Sequence, residues 1–190
     1  MHVVGPPVPF VWSLPTGWEQ VYKAGSTYED VTAQTADGSE SFVLMENVAA
    51  CDPRDDTRAP ADPPAQGAKA LASWLATRPY LHATTPKATL VGGQPAWELD
   101  ASIGTLGRDA PTMVSGLPGA YLVHVLPPVS DKDTRSAWFD KTYTKASHLW
   151  LIDLPNGTVG YIEGGSVGGP HDAEITQILR QMRFDEPSSP

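Results

Sequence analysis

The chain has 190 residues, 18% of them charged and 41% apolar, with a formal net charge of -9 at pH 7. That length suits one domain whose core needs no disulfide or metal staple. The acidity argues against nucleic acid and anionic membrane surfaces as partners, because both demand clustered Lys and Arg.

Cys51 is the only cysteine. It can form no intrachain disulfide, and its neighbour is Asp52 rather than a base that would activate the thiol. No stretch approaches the ~20 apolar residues of a spanning helix; residues 121–129 carry His124 and end at Pro127-Pro128. Direct membrane insertion is therefore not expected. No Lys or Arg precedes Lys23 and no apolar segment opens the chain, so its start is not an intact signal peptide. Gly5-Pro6-Pro7-Val8-Pro9 reads as a polyproline-type lead-in, suited to a tether or a plain N-terminal arm. The expected organisation is a lead-in over residues 1–9, one globular domain over 10–186 and a tail over 187–190.

In chain order, residues 10–14 predict a short strand closed by Pro15-Thr16-Gly17, and 18–24 a second one. Residues 28–35 and 41–48 flank Asp37-Gly38, a hairpin dipeptide, with Phe42 and Leu44 inward. Residues 49–64 lack any period and read as a loop. Asp62 as N-cap and Pro63 at the first helical position then predict a helix over 63–78, with Ala68, Leu71, Trp74 and Leu75 as its apolar stripe. Residues 84–91 and 96–101 form a strand pair about Gly92-Gly93-Gln94-Pro95. Trp97 and Leu99 share one face, and Glu98 and Asp100 the other.

Residues 103–119 are an irregular excursion or a lid, and the sequence leaves both open. Residues 121–126 read as a strand, and Ser130 with Asp133 predicts a short helix through Trp138-Phe139. The last fifth is the most legible: a strand, Pro155-Asn156-Gly157, a second strand, a glycine-rich loop and a helix with Ile175, Ile178, Leu179 and Met182 on one face. Hairpins dominate and no strand-helix-strand series appears. The expected fold class is therefore α+β, a twisted antiparallel sheet with helices packed on it.

Several stretches resemble one family of bacterial extracytoplasmic domains with the Mog1/PsbP-like fold. Phe10-Val11-Trp12-Ser13-Leu14-Pro15-Thr16-Gly17-Trp18 is similar to that group's opening strand, and Ala72-Ser73-Trp74-Leu75-Ala76-Thr77-Arg78-Pro79-Tyr80-Leu81 to its first helix. Val91-Gly92-Gly93-Gln94-Pro95-Ala96-Trp97-Glu98-Leu99-Asp100 resembles its central hairpin, and Leu149 to Asp153 with Ile178-Leu179-Arg180-Gln181-Met182-Arg183-Phe184 its closing hairpin and helix. The resemblance implies an α/β/α sandwich, a secreted or membrane-tethered location with a cytoplasmic one as the alternative, and an accessory or binding role. It supplies no catalytic residue. The glycine-rich loop and the excursions over 103–119 and 127–145 depart from the pattern.

Gly164-Gly165-Ser166-Val167-Gly168 matches the nucleophile-elbow motif between a strand and a helix. Gly168-Gly169-Pro170 delay that helix, and only His171 and Asp172 remain downstream, too near to return as a triad. A hydrolase using Ser166 is the alternative to a binding module, and a plain spacer domain is a third. Gly165, Ser166 and Gly168 form a possible anion site at the helix N-terminus, although Asp172, the expected N-cap, already fills that place. Asp52, Asp55 and Asp56 fit no cation-loop spacing and have Arg54 and Arg58 beside them. The histidines show no metal-ligand spacing, though His124 and His148, both in expected strands, are candidate neighbours across the sheet. No metal and no cofactor is expected. Trp138, Phe139 and Tyr143, near Lys141 and Lys145, are the candidate surface for a protein partner or small ligand, and a monomer is the simplest state.

Overall fold

The computed structural model describes residues 8, 10–21, 31–45, 48–50, 66–78, 81–103, 122–124, 137–138 and 146–184. Its strands in chain order are β1 (Phe10–Val11), β2 (Trp18–Val21), β3 (Val31–Thr35), β4 (Ser41–Met45), β5 (Val48–Ala50), β6 (Leu81–Ala83), β7 (Lys87–Val91), β8 (Gln94–Ile103), β9 (Leu122–His124), β10 (Ala137–Trp138), β11 (Ser147–Asp153), β12 (Val159–Ser166) and β13 (Arg183–Phe184). The helices are α1 (Gly67–Leu75) and α2 (Asp172–Gln181).

Alternation along β11 decides the architecture. Leu149 and Leu151 project to one side and Trp150 and Ile152 to the other, and all four are buried. A strand covered on both faces needs a layer on each. Ala68, Leu71, Ala72 and Leu75 of α1 meet Leu149, Leu151, Leu99 and Tyr161 on the first side. Ile175, Ile178 and Leu179 of α2 meet Trp150, Ile152, Ile162 and Phe42 on the second. The result is the α+β fold expected from the hairpin-rich sequence, a helix on either side of one sheet.

That sheet has eight strands in the order β2-β3-β4-β12-β11-β8-β6, with β7 also paired to β8. Each of its pairings is antiparallel. β1 pairs with β13, and β5, β9 and β10 form a separate three-stranded sheet. Phe10 bridges the first pair, with ring centroids 5.3 Å from Trp12 and 6.3 Å from Phe184.

Several expectations change in detail. The strand expected over 41–48 divides, because β4 stays in the large sheet while β5 leaves to pair with β9. Where a short helix through Trp138 was expected, Ala137 and Trp138 are extended and pair with Val123 and Leu122. The Asn156-Gly157 turn is longer than a two-residue hairpin: Leu154 and Thr158 still pair, and Gly157 adopts φ +78°. Asn156 Oδ1 accepts from the Thr158 N–H at 3.0 Å and closes it. In the Gly92-Gly93 turn, Val91 faces Gln94 directly, so Pro95 lies inside β8.

The first helix begins at Gly67 rather than at Pro63, and Asp62 and Pro63 lie outside the described residues. Its cap is remote. Gln66 gives no side-chain hydrogen bond, and Asp153, at the end of β11, instead accepts the Ala68 N–H at 2.7 Å. The carboxylate that starts the helix thus comes from the strand on which the helix packs.

Candidate functional site

At the opposite end of β11, polar side chains collect beside the start of α2. Glu98 and Asp100 are two residues apart on β8 and share the α2 face, and His148 is the direct register partner of Asp100. The His148 Nδ1 and Asp100 Oδ1 are 2.7 Å apart. On the far side of the ring, Nε2 lies 3.5 Å from Asp172 Oδ2. The imidazole is therefore held between two carboxylates, one from the sheet and one from the helix. It is 16% exposed, and each carboxylate is 30% exposed.

The glycine-rich segment lies beneath, and its residues Gly164 to Ser166 belong to β12 rather than to the expected loop. Gly164 faces Phe42, and a Cβ at Gly164 would sit 2.0 Å from the Phe42 Cβ and 2.6 Å from the Ser41 carbonyl oxygen. Only glycine allows that approach. The Ser166 N–H donates to Glu40 Oε2 at 3.1 Å, and the Gly168 N–H to Asp172 Oδ2 at 2.8 Å. The two N–H groups of the expected anion site thus face carboxylates of the chain itself, which an incoming anion has to displace. Gly165 instead packs by Ile175, and the Val167 N–H bonds Ala146. Asp172 is the first helical residue rather than the N-cap, a position held by His171.

A second cluster adjoins this rim. The Trp18 indole N–H donates to Glu174 Oε2 at 2.6 Å, and His171 Nδ1 lies 3.1 Å from the same oxygen. The indole bond first, and the imidazole second, hold the Glu174 carboxyl below its usual range. Among the described residues every ion pair involves a histidine, and no Lys or Arg nitrogen lies within 4 Å of a carboxylate oxygen. Lys87 is the register partner of Glu98 but forms no such contact.

On the other face of the sheet, Glu163 is 4% exposed and accepts the Tyr161 hydroxyl at 2.6 Å. Its second oxygen is buried without a hydrogen bond, and burial pushes its carboxyl up, opposed by the Tyr161 bond.

Of the residues singled out from sequence, Ser166 is not bonded to His148, whose two nitrogens face Asp100 and Asp172. His124 and His148 are not sheet neighbours: the first pairs with Val48 in the three-stranded sheet, the second with Asp100 and Gly164. Trp138 contributes its backbone to β10, while Phe139, Tyr143, Asp52, Asp55 and Asp56 lie outside the described residues. The Glu98, Asp100, His148 and Asp172 group escaped sequence reasoning, although the Glu-x-Asp spacing on one strand face was its visible half.

No family model matches the chain, and no curated relative does. Among solved structures it is similar to the solution structure of cyanobacterial PsbP (CyanoP) from Synechocystis sp. PCC 6803, at 8% identity and a TM-score of 0.43, over 93% of this chain and 86% of that one. Among the described residues no helix is long and apolar enough to cross a membrane.

Proposed function

We propose that this chain is a non-catalytic binding module, displayed outside the cytoplasm, which engages a basic segment of a protein partner through the rim formed by Glu40, Glu98, Asp100, Asp172 and Glu174. One observation carries the reading: these carboxylates gather at one end of the sheet, and none has a Lys or Arg nitrogen within 4 Å among the described residues. Such a rim attracts cationic groups and rejects anionic ones. The extracytoplasmic placement follows the sequence resemblance, and protease accessibility of the chain on intact cells tests it.

The binding test uses fluorescence anisotropy with lysine-rich and glutamate-rich peptides of equal length. Expected is binding of the lysine-rich peptide alone, weakened by salt and by the paired change Glu40→Gln with Glu98→Gln. Equal affinity for both peptides overturns the reading. A fluorophosphonate probe separates the hydrolase alternative, and stoichiometric labelling at Ser166 would favour it over a binding module.

A further inference from the structure

The rim contains a conflict that a cation resolves. A neutral imidazole carries one ring proton, so it can donate to only one carboxylate. His148 faces two: Asp100 Oδ1 lies 2.7 Å from Nδ1, and Asp172 Oδ2 lies 3.5 Å from Nε2. Nε2 is shut off from solvent without a hydrogen-bond partner, as is Asp172 Oδ1. Whichever nitrogen holds the proton, the other turns a lone pair toward a carboxylate.

Glu98 completes the geometry. One donor atom from each of Glu98, Asp100 and His148 lies within 4.8 Å of the other two. Adjacent antiparallel strands fix all three: Glu98 and Asp100 stand on the same face of β8, and the backbone register sets His148 opposite Asp100. Lys87, the exposed register partner of Glu98, makes no ion pair that would occupy this carboxylate. We infer that Glu98, Asp100 and His148 bind a divalent transition-metal ion of the zinc class, with Asp172 as the carboxylate that holds the proton on Nε2 and orients the ring.

The chemistry fits on three counts. Metal-bound imidazoles characteristically pass their second N–H to a carboxylate, the place Asp172 occupies. One nitrogen and two carboxylate donors suit zinc or its neighbours in the first transition row better than calcium or magnesium, which prefer oxygen alone. Ligand bonds of about 2.0–2.1 Å at a tetrahedral ion set two donor atoms about 3.3 Å apart. The Asp100 to His148 contact therefore opens by about 0.6 Å, within the reach of a χ rotation. Three protein ligands leave a position for water or for an acidic or histidine group from a partner.

A second ring proton would relieve the same conflict, so the test has to separate metal from proton. The full chain, stripped with chelator and dialysed, is titrated with zinc chloride by calorimetry, with magnesium chloride as the control and cobalt(II) absorption as an independent readout. Expected is one zinc per chain and no magnesium binding. Glu98→Gln weakens zinc about tenfold, His148→Ala abolishes binding, and Asp172→Asn weakens it about 10–100-fold through the ring orientation. Circular dichroism monitors folding, and Glu98→Gln, which alters a half-buried side chain by one atom, serves if His148→Ala does not fold. No saturable zinc binding, or equal binding by wild type and Glu98→Gln, overturns the proposal. It shares the rim with the function proposed above, yet the two fail separately: a chain that binds lysine-rich peptide and no zinc loses the metal site alone.

Discussion

The two ends of β11 carry the same kind of group and use it differently. At one end Asp153 accepts the Ala68 N–H and starts α1, a contact between a strand terminus and a helix that needs nothing further. At the other end Asp100 and Asp172 share one imidazole and leave buried polar atoms without hydrogen bonds. Both ends lie beside a helix N-terminus, on opposite faces of the sheet. The difference teaches that a carboxylate at such a place is architecture where no buried polar atom is left without a partner, and a candidate for recognition where one is.

The sharpest break comes from Gly164→Ala at the His148 end. With the added carbon 2.0 Å from the Phe42 Cβ, β12 and β4 have to part. Urea unfolding should show a loss of about 3 kcal/mol or more, as for severe overpacking. A variant of wild-type stability removes the close approach on which the rim stands.

Next is the end of the sheet beneath the rim, on the α1 side, where the buried Glu163 has its carboxyl raised by desolvation. A raised folded value means that the proton favours folding: this contribution is complete below the ordinary carboxylate range and lost as pH rises through the folded value. Glu163→Gln removes the ionisation and keeps an acceptor for Tyr161. It should stabilise the protein by about 1 kcal/mol at pH 7 and by nothing measurable at pH 4. A gain of equal size at both pH values would contradict the assignment.

Asp153→Ala tests the structural end and should cost about 1 kcal/mol, the usual loss of an N-terminal helix cap. Amide exchange should rise first at Ala68. Protection unchanged there would mean that the helix start does not depend on the strand. The smallest effect belongs to Asp37, in the hairpin between β3 and β4, whose carboxyl is lowered to about 2 by the Thr35 hydroxyl first and the Ser39 N–H second. Its contribution is present above about 4 and fades as pH falls toward 2. Asp37→Ala should lower the neutral-pH midpoint slightly, and the gap from wild type should close as pH falls from about 4 toward 2.

Much of the architecture was legible because it is local. The apolar spacing of Ile175, Ile178 and Leu179 specified the buried face of α2, and the runs about Asn156-Gly157 specified the β11–β12 hairpin. What was missed depends on partners distant in sequence. The cap of α1 comes from a residue 85 positions away, where local spacing points to Asp62 and Pro63. Val48 reads as the end of β4, and Ala49 and Ala50 as the start of a loop, until the pairing of all three with β9 is seen. The candidate site hides for the same reason: periodicity places Glu98 and Asp100 on one face, but only the register of β8 against β11 brings His148 to them.

The pairing of Phe10 with Phe184 and of Val11 with Arg183 has a further consequence. Whatever polypeptide precedes β1 and whatever follows β13 must emerge side by side, on a common doorstep. The body can therefore be spliced into the loop of a host protein with little distortion of either, or have its ends ligated and be reopened elsewhere, without disturbing the sheet.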